Sequence, residues 1–327
     1  MPVAAIGCLL LSALSLVDSL LLDRLANDFS VYWRTANQPA ALAYQWEGRF
    51  PFPYAPTMLL WIRPLALVPM WPAYAAFTAA SIAALLLACR RHLPAGAMAL
   101  TLISPAFARG LFTGQISALI AAVMIWACGS GRRVAAGVAF GLIATIKPQL
   151  VLLAPLMFLF NRDWRAFFAA GAAFAATVLL SLAVFGPDRW PEWIASMDHF
   201  HRAVTDTNVI KGGITPAIVA ERFGLPPLPF MIAGAVAGTA MVWSCRDAEP
   251  VGKAAAIAAG SLMAAPYALV YDLLPIVPFL ALSVTRGRFW AALALLAKLQ
   301  PLPLMLAAYE LYRARSCRIG ADSKSRW

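Results

Sequence analysis

The stretch VAAIGCLLLSALSLVDSLLLDRLANDFSVYWRTANQ, residues 3–38, decides the fold. Its first part, Val3–Leu22, is apolar apart from serines, a glycine and Asp18. About 20 such residues in a helix cross a ~30 Å hydrocarbon core. No Lys or Arg precedes the run, and no small-x-small cleavage site separates it from polar sequence, so it reads as a first transmembrane helix and not as a leader. Asp18 inside it is costly in lipid and is expected to face protein. The second part turns polar and aromatic at once, with Asp28, Tyr32, Trp33 and Arg34 just beyond the membrane boundary.

The rest of the chain repeats this alternation. Of its 327 residues 62% are hydrophobic and 13% charged, and the mean hydropathy is +0.74. A soluble domain of this length cannot hide that much apolar surface. The apolar segments are continuous and not alternating, which argues against a β-barrel. The sequence therefore specifies an all-α polytopic membrane protein, and its breaks suggest about 10–12 transmembrane helices.

The net charge of +11 sits in short loops and the tail, where it sets topology and meets anionic lipid and not nucleic acid. Arg90/Arg91, Arg132/Arg133, Arg162/Arg165, Arg246/Lys253 and Arg286/Arg288 fall on one side if each apolar block crosses once. That side is expected to be cytoplasmic, which puts two long polar loops, about 23–54 and 186–224, together on the other. One membrane domain, 1–312, precedes a basic tail, 313–327. Residues 57–68, with Arg63 and Pro64, suggest an interfacial or re-entrant helix, and Leu93–Phe112 a single span. Residues 289–312, interrupted by Lys298, Pro301 and Pro303, suggest a broken hairpin or a non-spanning element.

Polar residues collect at the turns opposite the arginines. Asp28 suits either a helix N-cap or a base at the bilayer surface. Gln115, after Gly114, can bind a sugar hydroxyl or cap a helix. Lys147, before the helix-breaking Pro148 and beside Gln149, can snorkel to headgroups or hold a phosphate, and its replacement by Met is then expected to weaken ligand use with modest effect on folding. Asp272, in YALVYD, must be wet or paired. His199 and His201 have a spacing that suits a strand better than a helix, and no third metal ligand accompanies them. Five cysteines stand singly, without metal or redox spacing. No cofactor is expected, with a divalent metal left open.

Five motifs in order carry a family resemblance: DFSVYW (28–33), FPYAP with PLA (52–56, 64–66), LFTGQISAL (111–119), AGVAFGLIATIKPQ (136–149) and NRDWRA (161–166). Together they resemble glycosyltransferase family 87, membrane enzymes that use polyprenyl-phosphate sugars, including mannosyltransferases that extend phosphatidylinositol mannosides. The similarity runs from about Asp28 to Pro187 and returns weakly at Pro266–Pro278. It implies a GT-C scaffold in the cell (inner) membrane with its active site on the extracytoplasmic face. It also implies transfer of a monosaccharide, mannose by resemblance, to a lipid or glycan acceptor. Asp28 matches the acidic residue of the first outer loop that serves as general base. The leaving phosphate would be met by Lys147 with Arg34, Arg109, Arg202 or Lys211. Tyr32, Trp33, Tyr54, Gln115, Gln149, Tyr267, Tyr271 and Asp272 would bind sugar or acceptor. Some family members carry a histidine where this chain has PYALVYD, so acceptor positioning would fall to Tyr267, Tyr271 or Asp272. A transporter or flippase of a lipid-linked sugar is the rival reading. A structural membrane subunit, a third, gives no reason for the polar turns.

Overall fold

A computed structural model describes residues 1–22, 24–45, 51–205, 211–296 and 301–324, as backbone only from 315 onward. Lys298 lies outside the described residues, as do positions 23, 46–50 and 206–210 of the two polar loops. Among the described residues the chain is helical, with no strand beyond one isolated bridge between Gly213 and Leu269.

The helices are α1 (Pro2–Leu21), α2 (Asn27–Asn37), α3 (Thr57–Ile62), α4 (Met70–Cys89), α5 (Ala95–Leu102), α6 (Pro105–Thr113), α7 (Ser117–Gly129), α8 (Arg133–Ala144) and α9 (Ala154–Phe160). They continue as α10 (Trp164–Phe185), α11 (Arg189–Thr205), α12 (Pro216–Arg222), α13 (Pro227–Ser244), α14 (Pro250–Ala264), α15 (Val277–Thr285), α16 (Phe289–Leu296) and α17 (Leu302–Lys324).

Four of them, α1, α4, α10 and α13, are long and apolar enough to cross a membrane. The bent pair α5–α6 makes a fifth if counted as one span. These long helices expose Leu9, Leu10, Leu14, Leu87, Leu179, Leu180 and Val236, which only lipid would cover favourably. The protein is thus a polytopic membrane protein, with fewer full-length spans among the described residues than the ten to twelve that its breaks suggest. The other apolar helices are shorter than a bilayer: α7 has 13 residues and α14 has 15.

Two expectations are corrected. The single span 93–112 is broken at Ser104, whose hydroxyl caps α6 by accepting from the Phe107 N–H, and the two halves meet at 49°. Neither long polar loop is merely a loop: the first contains α2, and the second contains α11 and α12. The 57–68 segment is short, as expected: α3 followed by a 3₁₀ turn at Arg63–Leu67. The basic tail starts inside a helix, because α17 runs on to Lys324.

Two buried clusters organise the molecule. The larger is built around α14, whose Ala254–Ala259 run lets α7, α13, α15 and α17 approach closely. The smaller sits where α2 and α3 pack on α4, around Phe29, Tyr32, Met58, Leu59 and Ala73. Turns segregate to opposite ends. At one end Gly129 meets His92 and Pro250. At the other, Thr57 bonds to the Thr145 carbonyl and Ser117 to Asp272. The turns beside Arg90/Arg91, Arg132/Arg133 and Lys253 thus meet one another, and the turns at Gln115, Lys147 and Asp272 meet one another.

Helix α8 touches α10 through Gly137 and Gly141, where a Cβ would collide with the carbonyls of Ala166 and Ala170. This small-xxx-small contact brings backbone against backbone. Gly137→Leu must push α8 off α10, a cost of at least about 1–3 kcal/mol. A lowered thermal unfolding temperature in detergent checks it. An unchanged one would mean that the two helices do not pack this closely.

Candidate active site

Where these polar turns meet, a cavity of about 1220 Å³ is walled by α2, the 53–57 segment, the ends of α6 and α8, α11 and residues 265–272. The middle of α10 contributes Phe174 and Val178.

Asp28 lies in the first turn of α2. The N-cap is Ala26, in a left-handed conformation at φ 57°, whose N–H donates to the Phe112 carbonyl. Asp28 is therefore not the N-cap that the sequence allows. It is half-buried, and it shares the cavity-facing side of α2 with Val31 and Tyr32. Burial pushes its carboxyl above the ordinary aspartate range, against hydrogen bonds from Gln115 and Thr113 and the charges of Lys147 and Arg109.

Gln115 is aimed by Gly114. That glycine closes α6 at φ 75°, and a Cβ on it would lie 2.5 Å from that of Phe29. The Gln115 Oε1 accepts from the Tyr32 hydroxyl at 3.1 Å and from the Lys147 ammonium at 2.9 Å. The Tyr32 and Tyr54 hydroxyls bond to each other at 2.8 Å.

Lys147 is held where α8 ends and Pro148 starts a 3₁₀ turn. Its Nζ donates to Gln115, to Ser117 Oγ at 3.0 Å and to Asp272 Oδ1 at 2.8 Å. An ammonium has three N–H groups, and all three are engaged. Both ends of the Lys147–Asp272 pair are about 3% exposed. Burial alone would pull Lys147 down, but Asp272, together with Tyr54 and Asp28, more than offsets it and the ammonium stays charged. Asp272 Oδ2 in turn accepts from the Leu269 N–H.

The remaining expected residues divide. Tyr54, Arg109, Gln149, Tyr267 and Tyr271 line the cavity, and exposed Lys211 sits on its wall. Trp33 does not line it; its indole donates to the Val68 carbonyl. Arg34 and Arg202 are exposed and also do not line it, Arg202 being bonded to His199. His199 and His201 are helical, not extended, and point apart; His201 pairs with Glu221 at 2.9 Å. Among the described residues no three His, Cys, Asp or Glu side chains converge.

Sequence reasoning missed four contributors: Thr113, Ser117, Arg24 and the face of α11. That face presents Trp190, Trp193, Met197, Phe200 and Val204 to the cavity at helical spacing, and the Trp193 indole donates to the Pro53 carbonyl. The periodicity was present in the sequence, but the surrounding charges made the segment read as a loop.

A family model described as Glycosyltransferase family 87 matches residues 52–271, more than half of the chain. The match includes Tyr54, Gln115, Lys147 and Tyr271 but begins after Asp28 and stops one residue before Asp272. No curated protein and no solved structure matches the chain.

Proposed function

The chain belongs to glycosyltransferase family 87, and on that premise we propose that it transfers a monosaccharide, mannose on the resemblance above, from a polyprenyl-phosphate donor. The acceptor is the hydroxyl of a lipid or glycan, and transfer occurs with inversion at the extracytoplasmic face of the cell membrane. One observation carries this reading: a carboxylate, Asp28, on the wall of a cavity large enough for a sugar and its acceptor, among tyrosines that can pack on a sugar ring.

Asp28 takes the acceptor proton. The acceptor oxygen forms a bond to the anomeric carbon, and the bond from that carbon to the phosphate oxygen breaks. The phosphate keeps the electron pair and becomes a monoester. That leaving group needs fixed positive charge more than an acid. Gln115 links Asp28 to the Lys147–Asp272 pair, so it orients the base. Tyr54, Tyr267, Tyr271 and Gln149 offer hydroxyls, rings and an amide to the sugar and acceptor. Lys147, with its donors engaged, is a scaffold for Gln115 in this reading and not a phosphate ligand. The apolar donor chain is suited by a groove of about 1160 Å³ between α7, α8 and Trp61, which adjoins the cavity at Ile146. Each CH₂ it buries contributes about 0.8 kcal/mol.

The test is donor competition in purified protein. Labelled polyprenyl-phosphate mannose should yield a labelled glycoconjugate, and a nucleotide-linked mannose should not. Transfer from the nucleotide sugar alone would overturn the donor assignment.

A further inference from the structure

The charged residues on the cavity wall are Arg24, Asp28, Arg109, Lys147, Lys211 and Asp272. Lys147 and Asp272 neutralise each other, and Lys211 is exposed. Arg24 and Arg109 are different. Both reach one carboxylate, Asp18 Oδ2: Arg109 Nη1 at 3.3 Å and Arg24 Nη1 at 3.7 Å. Two guanidiniums on one carboxylate leave that group a surplus of one positive charge, and the Arg109 charge also acts on Asp28. All three groups are partly exposed and both arginines line the cavity, so the surplus is not sealed in the core.

Asp18 sits near the end of the apolar helix α1, where a carboxylate is costly unless it is paired. An anchor for the helix end would need one partner. This one draws together a residue from the loop after α1 and a residue of α6, the helix that also delivers Thr113 and Gln115 to the cavity.

We propose that Arg24 and Arg109 clamp the phosphate of a lipid-linked sugar donor, with Asp18 as the positioning residue that fixes both guanidiniums. This rests on the glycosyl-transfer reading of the cavity. The charges match the step. A donor phosphodiester carries one negative charge and meets the surplus of one. As the bond to the anomeric carbon breaks, the phosphate gains a second charge while Asp28 gains the acceptor proton. A guanidinium already held in place stabilises that charge without reorganising. It also offers paired N–H groups to phosphate while other N–H groups stay on Asp18.

The test uses the full-length protein in detergent, titrated with farnesyl phosphate, a short isoprenoid phosphate, with transfer measured in parallel. Arg109→Gln and Arg24→Gln should each weaken binding by about tenfold or more. Asp28→Asn should bind at least as tightly as the unchanged protein. Asp18→Asn loses orientation but gains net positive charge. Its binding should therefore stay within about threefold while kcat falls about tenfold, and Asp18→Glu should recover much of that rate.

Binding by both arginine variants at the original affinity would overturn the clamp. An unchanged kcat in Asp18→Asn would overturn the positioning role. So would a joint loss of binding, rate and melting temperature that Asp18→Glu fails to restore, which would make Asp18 a structural anchor. If the unchanged protein binds farnesyl phosphate through Arg109 yet transfers no sugar, the clamp stands and the glycosyl-transfer reading falls.

Discussion

Asp28→Asn should lower transfer by roughly 10²–10⁴-fold, the contribution of a positioned general base. The substitution keeps the side chain's size and removes its basicity. It leaves the α2 cap alone, because the cap is Ala26. Burial raises the Asp28 carboxyl above the usual range, so its charged form is disfavoured in the fold and that cost applies above its raised pKa. The neutral amide carries no such cost, and Asp28→Asn should melt at or above the original temperature near neutral pH. The same shift sets the pH profile. The base is lost as pH falls through its raised pKa, so the acid limb of kcat/KM should lie above the ~3.9 of a free aspartate. In the residual activity of Asp28→Asn that limb should vanish. Near-normal transfer by Asp28→Asn, in protein of normal abundance, would remove Asp28 from the chemistry.

Lys147→Met should unfold much of the protein. The substitution removes the ammonium from Asp272 Oδ1, Gln115 Oε1 and Ser117 Oγ at once. It leaves a carboxylate about 3% exposed without its cation. Breaking a buried pair from one side costs about 3–5 kcal/mol. Lys147→Met with Asp272→Leu removes both charges and should recover a good part of that loss, because an apolar pair of similar volume is often no less stable. Thermal unfolding of the single and double variants in detergent checks this. A single variant that melts like the unchanged protein would mean that Lys147 is not held by Asp272. The modest folding effect expected from the sequence reverses here because Lys147 is part of the scaffold.

The case of Lys147 marks what a sequence can and cannot show. A lysine before Pro148 advertises a cation at a turn, but its partner is 125 residues further on, and nothing local tells a free cation from a neutralised one. Asp18 found the partners that an apolar context demands, Arg109 and Arg24, although its side chain is only half-buried. The all-helical membrane fold was legible because runs such as Pro2–Leu21 and Trp164–Phe185 have few other places to go than lipid. The polar ends were legible too, since Gly114–Gln115, Lys147–Gln149 and Tyr267–Asp272 do converge on one cavity. Helix α11 was not, because its mixed surface averages to a polar segment while its aromatic face closes over the cavity. The break in α5–α6 was also hidden, although Ser104–Pro105 is a capped helix start once read as one.

The central claim is that the cavity makes a bond and does not merely pass a lipid-linked sugar. Sealed proteoliposomes loaded with labelled polyprenyl-phosphate mannose and a membrane lipid extract test it most directly. The unchanged protein should move label into a new glycoconjugate and release polyprenyl phosphate, and Asp28→Asn should do neither at a comparable rate. Label that crosses the bilayer still attached to its polyprenyl phosphate, with no new conjugate formed, would contradict the account.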